Sequence, residues 1–273
     1  SGTSMACPQV TAAAALLAER MKQLNGTTKP RADLLKTLLI NGSTDIGNTG
    51  PDFRFGFGFL NVERSLIMLD SNRYVTGTVQ NGMQTTHTID VPANTAQLKV
   101  TLCWHDAPGS PMASKVLVND IDLEVTEPGS TVHKPMVLDH TPENINKPAV
   151  EKEDRLNNTE QVVINFPAAG NHTVTIKGYN VPTGSQGYVV AYDFLPMGIA
   201  IKYPLEGSAV RGEDSLTIYW DAGTISSGKY VLEYTDNDGG SWNVIDNDIP
   251  AYEKLYKWHI SAGINSGRCR LRL

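Results

Sequence analysis

The chain has 273 residues, of which 40% are hydrophobic and 19% are charged, and its formal net charge is −6. At about 150 residues per domain, this length predicts two domains or three small ones, and the composition excludes a disordered chain. The acidic balance argues against a nucleic-acid partner, because phosphate contacts need clustered Lys and Arg. Apolar runs stay below the ~18 residues of a membrane span, so no transmembrane segment is expected. Cys7, Cys103 and Cys269 form neither a CxxC metal site nor a disulfide framework.

Residues 1–70 show helical periodicity. The first predicted helix covers residues 8–24, with Pro8 in its first turn and Asn25-Gly26 at its end. Its Ala-rich tract has no polar face, which is typical of a buried helix. A second helix is predicted over residues 30–40, and a short third helix over 61–69, with Asn61 as the N-cap.

After residue 70 the apolar period changes from 3.6 to 2, which indicates strands. Short alternating segments separated by Gly, Pro and Asn clusters predict an antiparallel β-sandwich or jelly roll over residues 71–196. The predicted strands of this region are 74–80, 86–91, 97–104, 121–126, 135–139, 161–166, 172–178 and 188–194.

A turn at residues 195–198 suggests a hinge. Beyond it, short strands are predicted within residues 197–273, and the Asp-Asn-Asp-Gly-Gly run at 236–240 predicts a hairpin turn between two of them. These features favour a small immunoglobulin-like or fibronectin type III-like sandwich. The expected fold class is therefore a mainly β, multidomain protein that begins with a helical segment.

The most informative stretch is residues 2–8, Gly-Thr-Ser-Met-Ala-Cys-Pro, directly before the first helix. A serine at a helix N-terminus lies near unpaired backbone N–H groups and the positive end of the helix dipole, and both stabilise an oxyanion. The competing interpretation is that Ser4 serves only as an N-cap. Because the chain opens inside this motif, we expect it to be a piece of a longer protein.

The string resembles the nucleophile segment of subtilisin-like serine proteases, Gly-Thr-Ser-Met-Ala-x-Pro, with Cys7 at the variable place. A second string at 56–62, Gly-Phe-Gly-Phe-Leu-Asn-Val, resembles the Gly-x-Gly-x-Val-Asn turn near the end of that catalytic domain. The resemblance covers about residues 1–70, and it implies that this segment is the C-terminal remnant of an α/β subtilisin-like domain. It also implies that Ser4 is the nucleophile and that its N–H forms half of an oxyanion hole.

The family's general-base His, orienting Asp and oxyanion-hole Asn precede the serine, and this chain does not contain them. An unassisted serine hydroxyl is a weak nucleophile, so the chain alone is expected to be inactive. His105 and Asp106 are adjacent, and neighbours on a strand point to opposite faces, so they are not expected to form a substitute relay. The other histidines are expected to be ordinary surface or edge polar residues: His87, His133, His140, His172 and His259.

Strings in the middle region resemble the jelly-roll domain that follows the catalytic domain in some bacterial alkaline subtilases, akin to the P domain of proprotein convertases. They lie at 104–109, 117–123 and 154–163. The resemblance implies a structural, calcium-binding domain, and carboxylate oxygens suit this cation. Asp120 and Asp122 share one strand face, and Asp154 or Asn157 is expected to complete the candidate calcium site. The competing interpretation is that Asn119 and Asp120 cap turns and pair with Arg155.

We therefore expect the C-terminal part of a secreted or cell-surface, bacterial, subtilisin-like endopeptidase that acts on polypeptides together with an upstream domain. The expected parts are residues 1–70 of the catalytic domain, a jelly roll over 71–196 and a terminal sandwich over 197–273. The alternative is a non-catalytic β-sandwich binding module that carries a relic protease segment. Because the first helix would lack its usual cover, we expect it to pack on the jelly roll or on a second copy of the chain.

Overall fold

The structure is a computed structural model that describes residues 2–26, 29–212, 214–222, 228–264 and 266–273. The chain divides into two compact units, residues 1–194 and residues 195–273. Antiparallel strand pairs dominate both units, which confirms a mainly β protein with a helical N-terminal segment.

The helices of the first unit are α1 (Thr3–Asn25), α2 (Ala32–Gly42) and α3 (Val62–Asp70). All three predicted helices are confirmed, but α1 begins five residues earlier than predicted. Gly2 is extended, and its carbonyl accepts from the N–H groups of Met5 and Ala6, so the helix starts ahead of Pro8. Pro8 therefore lies inside the helix and not at its first turn.

No helix within the described residues is long and apolar enough to cross a membrane.

Ten strands follow the helices within the first unit's described residues. They are β1 (Tyr74–Gln80), β2 (Gln84–Val91), β3 (Thr95–Cys103), β4 (Asp120–Thr126), β5 (Val132–His133), β6 (Met136–Val137), β7 (Val150–Glu151), β8 (Thr159–Asn165), β9 (Gly170–Asn180) and β10 (Ser185–Pro196). Each strand predicted for this region is confirmed in place, and the segment predicted at 135–139 contains only the two-residue strand β6.

The longer strands form one sheet in the order β1-β10-β3-β8 and another in the order β2-β9-β4-β5, while β6 and β7 form a short pair. Side chains from both four-stranded sheets meet in one hydrophobic cluster, so the two sheets pack face to face around a common core. Trp104 and Tyr188 are the largest fully buried side chains of this cluster. The jelly-roll topology stays a prediction.

The helices cover the outer face of the β1-β10-β3-β8 sheet. A second hydrophobic cluster joins residues of α1, α2 and α3 to Val189 and Ala191 of β10. Every residue of β3 is buried, because one face points into the sandwich and the other lies under the helices. This part of the chain is therefore layered as helices, sheet and sheet.

Polar contacts tie the same helices to the sheet. Thr101 on β3 donates from Oγ1 to Oδ1 of Asn41 on α2 at 2.8 Å. Asp193 on β10 accepts from Nε of Arg64 at 2.8 Å and from the guanidinium of Arg73 at 2.9 Å, and its carboxylate is almost fully buried. A buried carboxylate with two guanidinium partners is strongly destabilised when one partner is lost.

The expectation that α1 is buried is only half right. Ala13, Leu17 and Met21 face the cluster that α1 shares with α2, α3 and β10, whereas residues 2–12 are exposed on all sides. Among the described residues, none of the N-terminal residues 3–12 of α1 belongs to this cluster. The C-terminal half does pack against the β region, which is one of the two packing partners expected from the sequence.

The second unit contains β11 (Ile199–Tyr203), β12 (Ser215–Ala222), β13 (Lys229–Thr235), β14 (Asn243–Pro250), β15 (Leu255–His259) and β16 (Arg270–Arg272). Its sheets have the orders β11-β12-β15 and β14-β13-β16, with a core cluster that includes Trp220, Tyr230 and Leu232. β13 and β14 pair antiparallel through the turn predicted at 236–240, which is thereby confirmed. The immunoglobulin-like or fibronectin type III-like arrangement stays a prediction.

Candidate functional site

Ser4 is the second residue of α1, and its side chain is exposed. The N-cap of the helix is Gly2, so the alternative role of Ser4 as an N-cap is wrong. The N–H of Ser4 lies in the first turn, where backbone donors have no acceptor within the helix. The hydroxyl and this N–H are therefore presented together at the positive end of a 23-residue helix.

Ser4 opens onto a shallow depression lined by Thr3, Ser4, Cys7, Pro8 and Thr11. The Thr11 hydroxyl donates to the Cys7 carbonyl at 3.0 Å, so the Thr11 side chain is held along the helix. The residues that line the depression include no His, Asp or Glu, and thus no general base for Ser4.

His105 and Asp106 do not form a relay. The Asp106 carboxylate accepts from the N–H groups of Val118 and Asn119 at 2.6 and 2.8 Å, and from that of Ala107 at 2.8 Å. These bonds hold the loop that leads into β4. The His105 side chain is exposed to solvent, whereas Asp106 holds the loop through its hydrogen bonds.

The second motif is a tight turn before α3. Gly56 and Gly58 have φ values of 63° and 105°, a region that side-chain-bearing residues rarely occupy. A Cβ on Gly58 would lie 2.1 Å from the carbonyl oxygen of Thr44, because Thr44 and Phe59 form a β-bridge there. The Asn61 side chain caps α3 by accepting from the N–H of Arg64 at 3.1 Å, as predicted.

Asp120 and Asp122, two of the predicted calcium ligands, contact Arg155. The Arg155 guanidinium donates to Asp120 Oδ1 at 3.1 Å and also to both oxygens of Asp122, and Lys115 Nζ lies 2.9 Å from Asp120 Oδ2. Burial raises the pKa of Asp122, while the hydrogen bond and charge of Arg155 oppose that rise. This is the pairing that the competing interpretation anticipated.

Asp154, the third predicted ligand, shapes its own loop. It accepts from the N–H of Leu156 at 2.8 Å and from the N–H and side-chain amide of Asn157 at 3.1 and 2.7 Å. Across the described ranges, no group of three or more His, Cys, Asp or Glu side chains is placed to hold a metal ion. The oxygens of these aspartates accept hydrogen bonds from N–H donors in this structure, and the calcium site stays a prediction.

Two buried polar residues differ from the sequence analysis, because Glu160 was not singled out there and His172 was expected to be an ordinary surface or edge residue. Glu160 on β8 is 2% exposed and faces the sandwich core with Val162 and Ile164. His172 on β9 is fully buried, and its Nε2 has no hydrogen-bond partner. The sequence does indicate the burial of Glu160. Residues 160, 162 and 164 share one face of a strand, and the other two residues of that face are apolar.

Comparison with known proteins agrees with the resemblance at the N-terminus. Residues 1–58 match the sequence model of the subtilase family, Peptidase_S8. The chain is also similar to the serine protease/ABC transporter B family protein tagA of Dictyostelium discoideum, with 26% identity over 211 residues. That alignment covers 69% of this chain, so it extends beyond the subtilase match, but only 12% of the relative. These findings support a protease-related origin.

The solved structures that match this chain are only distantly similar to it. Bacillus licheniformis lipase BlEst2 in its propeptide form is 10% identical, with a TM-score of 0.28 over 73% of this chain and 40% of that chain. The adhesin domain of Epf from Streptococcus pyogenes is 10% identical, with a TM-score of 0.26 over 69% of this chain and 66% of that chain. Scores this low carry no argument about fold or function.

Proposed function

We propose that this chain is the C-terminal part of a subtilisin-like serine endopeptidase, and that Ser4 is its nucleophile. The observation that carries the proposal is the exposed Ser4 hydroxyl in the first turn of α1, inside the Gly-Thr-Ser-Met-Ala-x-Pro string. The subtilase match over residues 1–58 supports the same assignment.

In the proposed reaction, Ser4 Oγ attacks a peptide carbonyl and forms an acyl-enzyme, which water then hydrolyses. The N–H of Ser4 stabilises the oxyanion because it is a first-turn donor at the positive end of the helix. A general base has to remove the hydroxyl proton, and the residues around Ser4 supply none. The base, its orienting Asp and the second oxyanion donor therefore come from an upstream domain, and this chain alone is inactive.

The β regions have supporting roles in this proposal. The first sandwich braces the helical segment, as the Arg64–Asp193 and Thr101–Asn41 contacts allow. For the second unit we propose attachment to substrate or to a surface, and a chain truncated at Pro196 that bound substrate equally well would contradict that role. Secretion and bacterial origin remain predictions from the resemblance.

α1 carries exposed apolar side chains along its length, among them Met5, Val10 and Leu16, which are 64, 43 and 58% exposed. Large apolar side chains left in water forgo roughly 1.5–3 kcal/mol of burial each. We propose that the isolated chain self-associates through this helix. Sedimentation velocity should show a mass that rises with concentration, and a strictly monomeric chain would contradict the proposal.

Labelling with a fluorophosphonate, which tags activated serines, tests the main proposal. The full-length gene product is expected to be labelled at Ser4, and this chain is expected to remain unlabelled. The Ser4→Ala variant of the full-length protein is the matched control, because it removes one oxygen atom from an exposed position.

Other outcomes have distinct meanings. Labelling of this chain alone would show that a local histidine activates Ser4, against the requirement for an upstream base. If neither protein is labelled, the protease assignment is overturned and the non-catalytic binding module is favoured.

A further inference from the structure

The carboxylate of Glu127, the residue after β4, lies between two histidine rings. Nε2 of His133 on β5 is 2.9 Å from Glu127 Oε1, and Nε2 of His172 on β9 is 3.6 Å from Oε2. On its other side, Nδ1 of His133 is 3.4 Å from Oε1 of Glu151 on β7. We call Glu127, His133, Glu151 and His172 the Glu127 cluster.

His133 faces a carboxylate with each ring nitrogen. A neutral imidazole has one N–H donor and one lone pair, so it can donate to only one of the two carboxylates. The other nitrogen then places its lone pair against a carboxylate oxygen. Only the doubly protonated ring donates to Glu127 and Glu151 together, and its positive charge strengthens both bonds.

His172 shows the same need for a proton. Its Nδ1 is 3.0 Å from the Gly170 carbonyl oxygen, which can only accept, so Nδ1 carries a hydrogen. In the neutral ring Nε2 then presents a buried lone pair toward Glu127, and this nitrogen has no hydrogen-bond partner. A proton on Nε2 would convert the contact into an ion pair.

Glu127 is suited to hold the negative charge. Burial acts to raise its pKa, but the N–H of Ala168, which donates at 2.9 Å, and the two histidines together lower the pKa below its ordinary value. The neighbouring charges, Lys134 and Glu153, pair with each other.

We propose that the Glu127 cluster is a proton-operated clasp at the edge of the first sandwich. At mildly acidic pH, the protonated rings tie the end of β4 to β9 and, through Glu151, tie β5 to β7. At higher pH these bonds lose a donor and the β5–β7 edge loosens. The clasp joins two separate sheets, since β5 belongs to β2-β9-β4-β5 and β7 pairs with β6.

Hydrogen exchange of the whole chain tests the clasp at about pH 5.5 and about pH 8, on either side of the range where histidine usually titrates. The reporting amides are those of Lys134, which donates to Glu151 Oε2 at 3.5 Å, Lys152, which donates to the Pro135 carbonyl at 3.0 Å, and Ala168. After correction for intrinsic exchange, they should be protected about tenfold more at the lower pH. In the His133→Gln variant, whose amide still donates and accepts but does not gain a proton, this difference should fall to about twofold or less.

Matched variants keep the test decisive. Glu151→Gln alters a half-exposed residue, so it should fold normally and still lose most of the pH effect at Lys134 and Lys152. His140→Gln, an exposed histidine in the same unit, should retain the full effect. Equal pH dependence in His133→Gln and the parent chain would overturn the proposal, as would a pH effect that a chelator abolishes, because the cluster would then hold a metal.

Discussion

At the scale of single residues, Glu160 places a carboxyl group in the core of the first sandwich. One oxygen accepts from the N–H of Leu123 at 2.7 Å, whereas the other is buried without a partner. Burial holds the pKa of Glu160 well above its ordinary value, and the nearby charges of Asp122, Asp154 and Asp120 act in the same direction. The folded chain therefore keeps this group protonated at a pH where the unfolded chain ionises it.

The first prediction follows from that difference. Because the folded state binds the extra proton, the free energy of unfolding should fall by up to about 1.4 kcal/mol per pH unit as pH rises from the unfolded pKa of Glu160 to its folded pKa. Glu160→Gln should abolish this fall and be the more stable protein at neutral pH. Urea titrations across this range measure the effect, with the exposed Glu143→Gln as control. Parallel curves for Glu160→Gln and the parent chain would contradict the prediction.

Arg155 carries the second prediction, because it pairs with the buried Asp120 and Asp122 and lies over the ring of Tyr179. Arg155→Met should leave the two carboxylates short of a partner and destabilise the chain by roughly 2–3 kcal/mol, less than a fully buried pair because Arg155 is about one-third exposed. Arg155→Lys should retain only part of the stability that Arg155→Met loses, since an ammonium cannot bind both carboxylates as a planar fork.

Thermal unfolding with calcium or a chelator separates the two interpretations of these aspartates. Arg155 pairing predicts no effect of calcium on the parent chain. A calcium-dependent rise in Tm of the parent chain that Asp122→Asn removes would instead support the calcium site.

At the scale of elements, the C-terminal part of α1 has one face buried in the helical cluster and another face exposed to solvent. Adjacent leucines give a matched pair, since Leu17 is fully buried in the helical cluster and Leu16 is 58% exposed. Leu17→Ala should cost about 2–5 kcal/mol of unfolding free energy, because it leaves a cavity. Leu16→Ala should change stability by less than about 0.5 kcal/mol, while weakening any self-association. Similar costs for both, in urea titrations of dilute protein, would show that Leu16 is also buried.

The turn before α3 offers a second matched pair. Gly56→Ala meets no atom within 4 Å and should cost only about 1 kcal/mol for its positive φ. Gly58→Ala combines a positive φ with a Cβ placed 2.1 Å from the Thr44 carbonyl oxygen, so it should cost several-fold more, about 3 kcal/mol or above. Chemical denaturation measures both, and equal values would mean that the Thr44–Phe59 bridge yields easily.

At the scale of the whole molecule, the helices and the first sandwich form one unit, although the sequence predicts a boundary near residue 70. A chain of residues 71–194 would expose the outer face of β3 and leave Asp193 without Arg64. It should be less stable than residues 1–194 by roughly 3–5 kcal/mol, the cost of breaking a buried ion pair. Equal stability of the two chains in urea would establish the predicted boundary instead.

The sequence by itself determined the elements and their local chemistry. The Asn61 cap, the period-2 strands, the turn at 236–240 and the Ser4 motif each depend on residues close together in the chain. Such signals survive in any tertiary context, because caps, turns and side-chain periodicity are set within a few residues. The start of α1 was misplaced because the extended Gly2 began the helix ahead of Pro8.

Only the tertiary structure decided which distant groups meet. Asp120 and Arg155 are 35 residues apart, and the sequence left open whether they pair with each other or Asp120 binds calcium. Arg64 and Asp193 are 129 residues apart, and no local pattern indicated that they pair. The same holds for the buried Glu160, for the two histidines that flank Glu127, and for the exposed half of α1. Which side chains are buried or paired depends on which elements the topology brings together. The pKa of an ionisable group and the free energy that a buried side chain contributes depend in turn on those neighbours.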